Sequence, residues 1–158
     1  MAHRVADIMT TPVITLSEED NLRSIRQGMD RFHLRHLPVV DGEKLVGLIT
    51  HRDVLRLVSA ELDSVASARA RAAEDTFVSS VMTRNPRTCA PDTPIAEAAR
   101  QMYENKFGCL PVVDEEGNLV GIVTENDLLG YLVSHLLTEE QASKRSRRPS
   151  KPVPREGD

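Results

Sequence analysis

Val5-Ala6-Asp7-Ile8-Met9-Thr10 and Leu37-Pro38-Val39-Val40-Asp41 decide the reading of this chain because both come back, as Val78-Ser79-Ser80-Val81-Met82-Thr83 and Leu110-Pro111-Val112-Val113-Asp114. A third stretch, Leu45-Val46-Gly47-Leu48-Ile49-Thr50-His51-Arg52-Asp53, has its echo in Leu119-Val120-Gly121-Ile122-Val123-Thr124-Glu125-Asn126-Asp127. The offset is 73 between Met9 and Met82 and 74 between Gly47 and Gly121, so one residue was inserted at the intervening Asp-Gly turn. Two copies of one unit in a short chain imply that neither half buries its apolar face alone and that the halves pack about a pseudo-two-fold axis. Clefts between such halves come in pairs.

Working outward, each copy reads as β-α-β-β-α. In the first, Val13 to Leu16 is β-prone and Ser17-Glu18-Glu19-Asp20 offers an acidic helix start, where the positive end of the dipole lies. Leu22, Ile25, Met29 and Phe32 follow at helical spacing. Leu37–Val40 and Leu45–Thr50 make a hairpin about Asp41-Gly42-Glu43-Lys44, and Val54, Leu55, Leu57, Val58 and Leu62 form the closing helix. The second copy gives Thr88-Cys89 as strand, a helix carrying Ile95, Ala98, Ala99 and Met102, strands Leu110–Val113 and Leu119–Thr124, and a helix from Leu128 to Leu137. The class is therefore α/β (α+β), with repeat 1 over residues 5–62 and repeat 2 over 78–137. Residues 63–77, rich in Ala, Glu and Arg, read as a helical connector.

The formal charge of −4 hides an asymmetry. Residues 144 to 158 hold six basic and two acidic residues, which leaves −8 on the remainder. Residues 143–158 have the composition of a disordered tail. An acidic body with aromatics at 3% and no Trp argues against nucleic-acid binding, except weakly through the tail, because phosphate neutralisation and base stacking need clustered cations and exposed rings. No apolar run approaches the roughly 20 residues of a membrane span. Met1-Ala2-His3-Arg4-Val5 starts no signal peptide, so the expected location is the cytoplasm.

No GxSxG, HExxH or GxxxxGK[ST] pattern occurs, so no catalytic residue is assigned and no enzyme is expected. Scattered histidines and two cysteines outside any CxxC pattern give no metal site. The informative element is Thr-x-x-Asp opening a helix after a strand, at Thr50-His51-Arg52-Asp53 and Thr124-Glu125-Asn126-Asp127. As a capping box it satisfies orphan backbone N–H groups. With a Gly three residues before each Thr, and with the repetition, it also suits a ligand: a helix N-terminus attracts anions and the carboxylate accepts hydrogen bonds from a ribose diol. Both roles fit the same four residues.

These marks, occurring twice at matching spacing over residues 5 to 137, resemble the cystathionine-β-synthase (CBS) domain, whose units pack in tandem as a Bateman module. The resemblance implies binding of adenosine-containing ligands (AMP, ADP, ATP or S-adenosylmethionine) as regulatory ligands in two inter-repeat clefts. It also implies transmission of occupancy to a partner protein, association into a homodimer through the helices, and no cofactor in the catalytic sense. It would place Thr50 and Asp53 with Thr88, Cys89, Cys109, Leu110 and Pro111 in one cleft, and Thr124 and Asp127 with Ile14, Thr15, Arg35, His36, Leu37 and Pro38 in the other. His51 and Arg52 in the first, and Arg35 and His36 in the second, are the cations available to phosphate. Asn126 belongs to the second Thr-x-x-Asp segment, and Glu125 there would repel phosphate, so unequal sites are expected. Cys89 and Cys109 read as small buried hydrophobes, the sharper alternative being a redox-sensitive pair in one cleft. The alternative function is a ligand-free interaction module in which Thr-x-x-Asp is only a cap.

Overall fold

The computed structural model describes residues 3–61 and 75–146. In chain order, a short 3-10 turn at Val5–Asp7 precedes α1 (Leu22–Phe32), β1 (His36–Asp41), β2 (Lys44–Thr50) and α2 (His51–Glu61). The second copy supplies α3 (Val78–Val81), β3 (Thr83–Arg84), α4 (Ile95–Asn105), β4 (Cys109–Val113), β5 (Leu119–Thr124) and α5 (Glu125–Ser146).

The helices start and stop for local reasons. The Asn21 side chain accepts from the Ser24 N–H at 3.0 Å, so α1 begins there, while Ser17–Asp20, expected to open the helix, closes on itself through Ser17 N–H to the Asp20 carboxylate at 2.7 Å. His33 and Lys106, at φ 53° and 56°, end α1 and α4 in the left-handed conformation. Leu22, Ile25 and Met29 on α1, and Ile95, Ala98 and Met102 on α4, are the buried stripe of each helix.

Each hairpin is antiparallel with a bulge at the same place, Val39/Val40 and Val112/Val113. The expected first strand of each copy shrinks to one parallel bridge, Leu16 to Val39 and Cys89 to Val112. The strand is short because the residues before it are drawn elsewhere. Thr83 and Arg84 pair with Leu48 and Gly47 of the first hairpin, and Thr10 pairs with Ile122 of the second, at N–O distances of 2.8 and 3.1 Å. The leading segment of each repeat thus belongs to the other's sheet. It belongs to the other's core too: Val78 and Met82 pack with Leu22, Ile25, Leu37, Val39 and Ile49, while Val5 packs with Met102, Leu110, Val112 and Val123. Val5 and Val78 are fully buried, which contributes about 1.5–3 kcal/mol each and couples the folding of the halves. The hairpin turns also meet, Leu45 N–H donating to Gly117 O at 3.2 Å and Leu119 N–H to Glu43 O at 2.8 Å.

One expectation falls mostly outside the described residues and another needs correction. The connector was expected to be helical over 63–77; residues 62–74 lie outside the described residues, and Phe77 is extended and bridges to Asn21. The closing helix of repeat 2 was expected to end at Leu137 with a tail from 143, yet α5 runs to Ser146. Gln141, Ala142, Lys144 and Arg145 are residue types of good helix propensity, which the sequence reading of a tail passed over. The remainder of the tail, 147–158, lies outside the described residues.

Candidate functional site

The Thr-x-x-Asp segments open α2 and α5 directly from the ends of β2 and β5. Asp53 accepts from the Thr50 N–H at 2.8 Å and the Thr50 hydroxyl at 2.7 Å, and its own N–H donates to Thr50 Oγ1 at 3.3 Å. Asp127 repeats this with Thr124 at 2.7, 2.8 and 3.4 Å and also accepts from the Thr10 hydroxyl at 3.4 Å. The capping boxes are therefore complete. Each uses one carboxylate oxygen, Oδ2, and among the described residues no hydrogen bond reaches Oδ1 of Asp53.

Beside the first box lies a cavity of about 700 Å³. The β1–β2 hairpin and the start of α2 supply Arg35, His36, Leu48, Thr50, His51, Arg52 and Leu55; the segment around β3 supplies Thr83, Asn85, Pro86 and Arg87; the loop before β4 supplies Lys106, Phe107, Gly108 and Cys109, and α5 supplies Glu125. The wall carries four formal cations, Arg35, Arg52, Arg87 and Lys106, two imidazoles and one carboxylate. Burial holds the His36 imidazole below its ordinary range, Arg35 reinforcing this and Glu125 opposing it. Burial also pushes the Cys109 thiol up to about 12, with Glu125 adding to the effect, and the Cys89 thiol up to about 11.

The expected site residues divide. Arg35, His36, Thr50, His51, Arg52 and Cys109 share the cavity. Arg35 and His36 thus stand with Thr50, not with Thr124, because β1 pairs with β2 in register His36 to Thr50 and the His51 N–H donates to Arg35 O at 2.8 Å. Leu37, Pro38, Leu110 and Pro111 are fully buried within the strands, and Asp53, Thr88 and Cys89 lie outside the cavity wall. Ile14, Thr15 and Thr124 also lie off it. Asn126 and Asp127 line a second, more open hollow of about 510 Å³ with His3, Asp7, Ile8, Tyr131 and His135. Cys109 lines the cavity and Cys89 does not, and burial of both favours the thiol over the reactive thiolate, in line with two small buried hydrophobes. The cavity residues that sequence reasoning missed are Leu48, Leu55, Thr83, Asn85, Pro86, Arg87, Lys106, Phe107 and Gly108, and Glu125, expected in the second cleft, lines this one. The repeat does flag Asn85-Pro86, which follows Met82-Thr83 much as Pro12 follows Met9-Thr10, but nothing in the sequence says that this segment crosses to the other hairpin.

Among the described residues, no group of three or more His, Cys, Asp or Glu is placed to hold a metal ion, and no helix is long and apolar enough to cross a membrane. What the cavity offers is a cationic wall, a helix N-terminus and one aromatic ring, Phe107, on a scaffold of two exchanged half-units. That defines a tandem-repeat module with an anion-attracting cleft at the repeat boundary. The chain belongs to the CBS domain family, whose model matches residues 5–60 and 78–134. It is 35% identical over 132 residues to an inosine-5′-monophosphate dehydrogenase of Korarchaeum cryptofilum, covering 84% of this chain and 25% of that protein. The chain spans about a quarter of the length of the first curated relatives it matches. Among solved structures it resembles the Arabidopsis thaliana CBS-pair protein CBSX2 in complex with AMP (TM-score 0.72, 27% identity, 84% of this chain and 97% of that one). It also resembles the CBS domain pair of protein MJ0100 in complex with 5′-methylthioadenosine and S-adenosyl-L-methionine (TM-score 0.70, 29% identity, 85% and 99%).

Proposed function

We propose that this chain is a regulatory CBS pair that binds a phosphate-bearing adenosine ligand (AMP, ADP or ATP) in the cavity beside Thr50, does not turn it over, and passes occupancy to a partner protein in the cytoplasm. The observation that carries this is the charge of the wall: four formal cations against one carboxylate line a cavity that opens on the N-terminus of α2. The same charge disfavours S-adenosylmethionine, whose sulfonium is itself a cation. Thr50 lines the cavity, and Asp53, off its wall but hydrogen-bonded to the Thr50 hydroxyl at 2.7 Å, offers its free Oδ1 to a ribose seated at that edge, while Phe107 offers a face to the base. That AMP and S-adenosylmethionine occupy related CBS pairs supports the ligand class. The module pairs with a second copy through α5, where Leu129, Leu132, Val133, Leu136 and Leu137 are each half exposed along one helical face.

Calorimetric titration with AMP, ADP, ATP and S-adenosylmethionine tests the ligand. The phosphate ligands are expected to bind, and Asp53→Ala to weaken all of them about ten- to a hundredfold, the worth of hydrogen bonds to a charged acceptor. The competing reading, an interaction module with no ligand, draws on the complete capping boxes, which account for both Thr-Asp pairs without one. Under that reading Asp53→Ala lowers stability by about 0.5–2 kcal/mol, the cost of a lost cap, and no adenosine compound binds the parent protein.

A further inference from the structure

The pseudo-two-fold sets His51 and Glu125 at matching positions. Each is the first residue of its helix, and each N–H donates to the loop before the preceding hairpin: His51 to Arg35 O at 2.8 Å and Glu125 to Gly108 O at 3.1 Å. Both side chains reach the same cavity. The two halves have thus placed opposite chemistry at equivalent points, an imidazole on one side and a carboxylate on the other. Where the loop before β4 approaches the first hairpin, the packing is close. A Cβ at Gly108 would stand 2.6 Å from His36 Nε2, so the His36 ring lies directly over the glycine that precedes Cys109, and Glu125 acts electrostatically on both His36 and Cys109. Yet among the described residues no ion pair or hydrogen bond engages the Glu125 carboxylate. It is exposed, with four formal cations sharing its cavity.

We infer that Glu125 is the charge-selecting residue of the cavity, a tethered anion that competes with a ligand's phosphates for the surrounding cations. The inference rests on the proposed function and sharpens it. Each phosphate added to adenosine gains attraction from Arg35, Arg52, Arg87 and Lys106 and meets repulsion from Glu125. The carboxylate therefore compresses the affinity ladder from adenosine through AMP to ATP, so that the shorter nucleotides compete with ATP for the cavity. Thr50, Asp53 and Phe107 carry no part of this discrimination, because what they touch is common to all three ligands.

The test is calorimetric titration of the full chain with adenosine, AMP and ATP, comparing the parent with Glu125→Gln, with Glu125→His, which copies the first repeat, and with Glu115→Gln. Glu115 is an exposed acid on the β4–β5 turn, outside the cavity, and controls for net charge. Glu125→Gln is expected to tighten ATP about two- to fivefold, the range measured for exposed charge pairs, with a smaller gain for AMP and none for adenosine. Glu125→His is expected to do at least as much, Glu115→Gln nothing, and the gain to shrink in high salt. An unchanged ladder in Glu125→Gln, an equal gain for adenosine, or the same gain in Glu115→Gln overturns the inference and leaves nucleotide binding standing. If neither parent nor variants bind any of the three, the proposed function fails and the inference with it.

Discussion

Gly47→Ala is expected to destabilise the protein although alanine suits a strand better than glycine. A Cβ built on Gly47 would lie 2.3 Å from Met82 Sδ, 3.0 Å from its Cγ and 3.3 Å from its Cβ. Met82 is 8% exposed, enclosed in the first repeat's core, so its thioether has little room to retreat. Gly47 has no positive φ, so backbone strain plays no part. Overpacking of this kind costs about 1–3 kcal/mol. The loss of unfolded-state freedom returns about 0.4–1 kcal/mol. The net expectation is a loss of about 0.5–2 kcal/mol, or a few degrees in Tm for a chain of this size. Urea unfolding monitored by circular dichroism measures it as a lower midpoint at unchanged slope. The decisive arm is a cycle with Met82→Ala, which opens the space at its own cost of about 2–5 kcal/mol. In that background Gly47→Ala should become neutral or stabilising, a coupling within the ~0.5–3 kcal/mol seen for residues in contact. If Gly47→Ala is harmless in the parent, or costs the same with Met82 removed, the exchange of leading segments between repeats is not what constrains the glycine. Gly121→Ala is the companion: it meets Met9 Sδ at 2.5 Å and Thr10 O at 3.3 Å, a backbone atom that cannot swing away.

Two further outcomes follow from the surface and the half-buried His36 imidazole. Light scattering of the parent should give a dimer, and Leu132→Glu with Leu136→Glu a folded monomer with stability within about 0.5 kcal/mol of the parent protomer, since both side chains are half exposed; a dimer that survives the double substitution rules out α5 as the interface. Because burial lowers the folded-state pKa of His36 below its unfolded value, the unfolded chain binds the extra proton first, so stability contributed by neutral His36 is present above the ordinary imidazole range and is lost as pH falls through it. Unfolding midpoints at pH 7.5 and 5.5 should therefore fall further for the parent than for His36→Gln, the other histidines cancelling in the comparison; equal falls refute it.

The resemblance between Val5–Asp53 and Val78–Asp127 was enough to fix the class, the repeat, the two hairpins and both capping boxes, because these depend on hydrophobic period, turn residues and spacings of three or four along the chain. Glycine before each Thr looked like part of a ligand site; Met9 and Met82, packed against Gly121 and Gly47, show a structural demand for its missing side chain. The family resemblance placed Arg35 and His36 on the Thr124 side, and the register of β1 on β2, His36 opposite Thr50, puts them beside Thr50. Arg87, Lys106 and Phe107 carry no local signature. They reach the cavity because Thr83–Arg84 leaves its own repeat to extend the other's sheet, bringing along the residues that follow it, and because the loop before β4 packs across the boundary at Gly108. Sequence by itself determined what each half is, since that follows from local periodicity. Which side chains share one cavity was decided only by the tertiary structure, since the partners are tens of residues apart and meet through backbone pairing and packing that spacing along the chain does not encode.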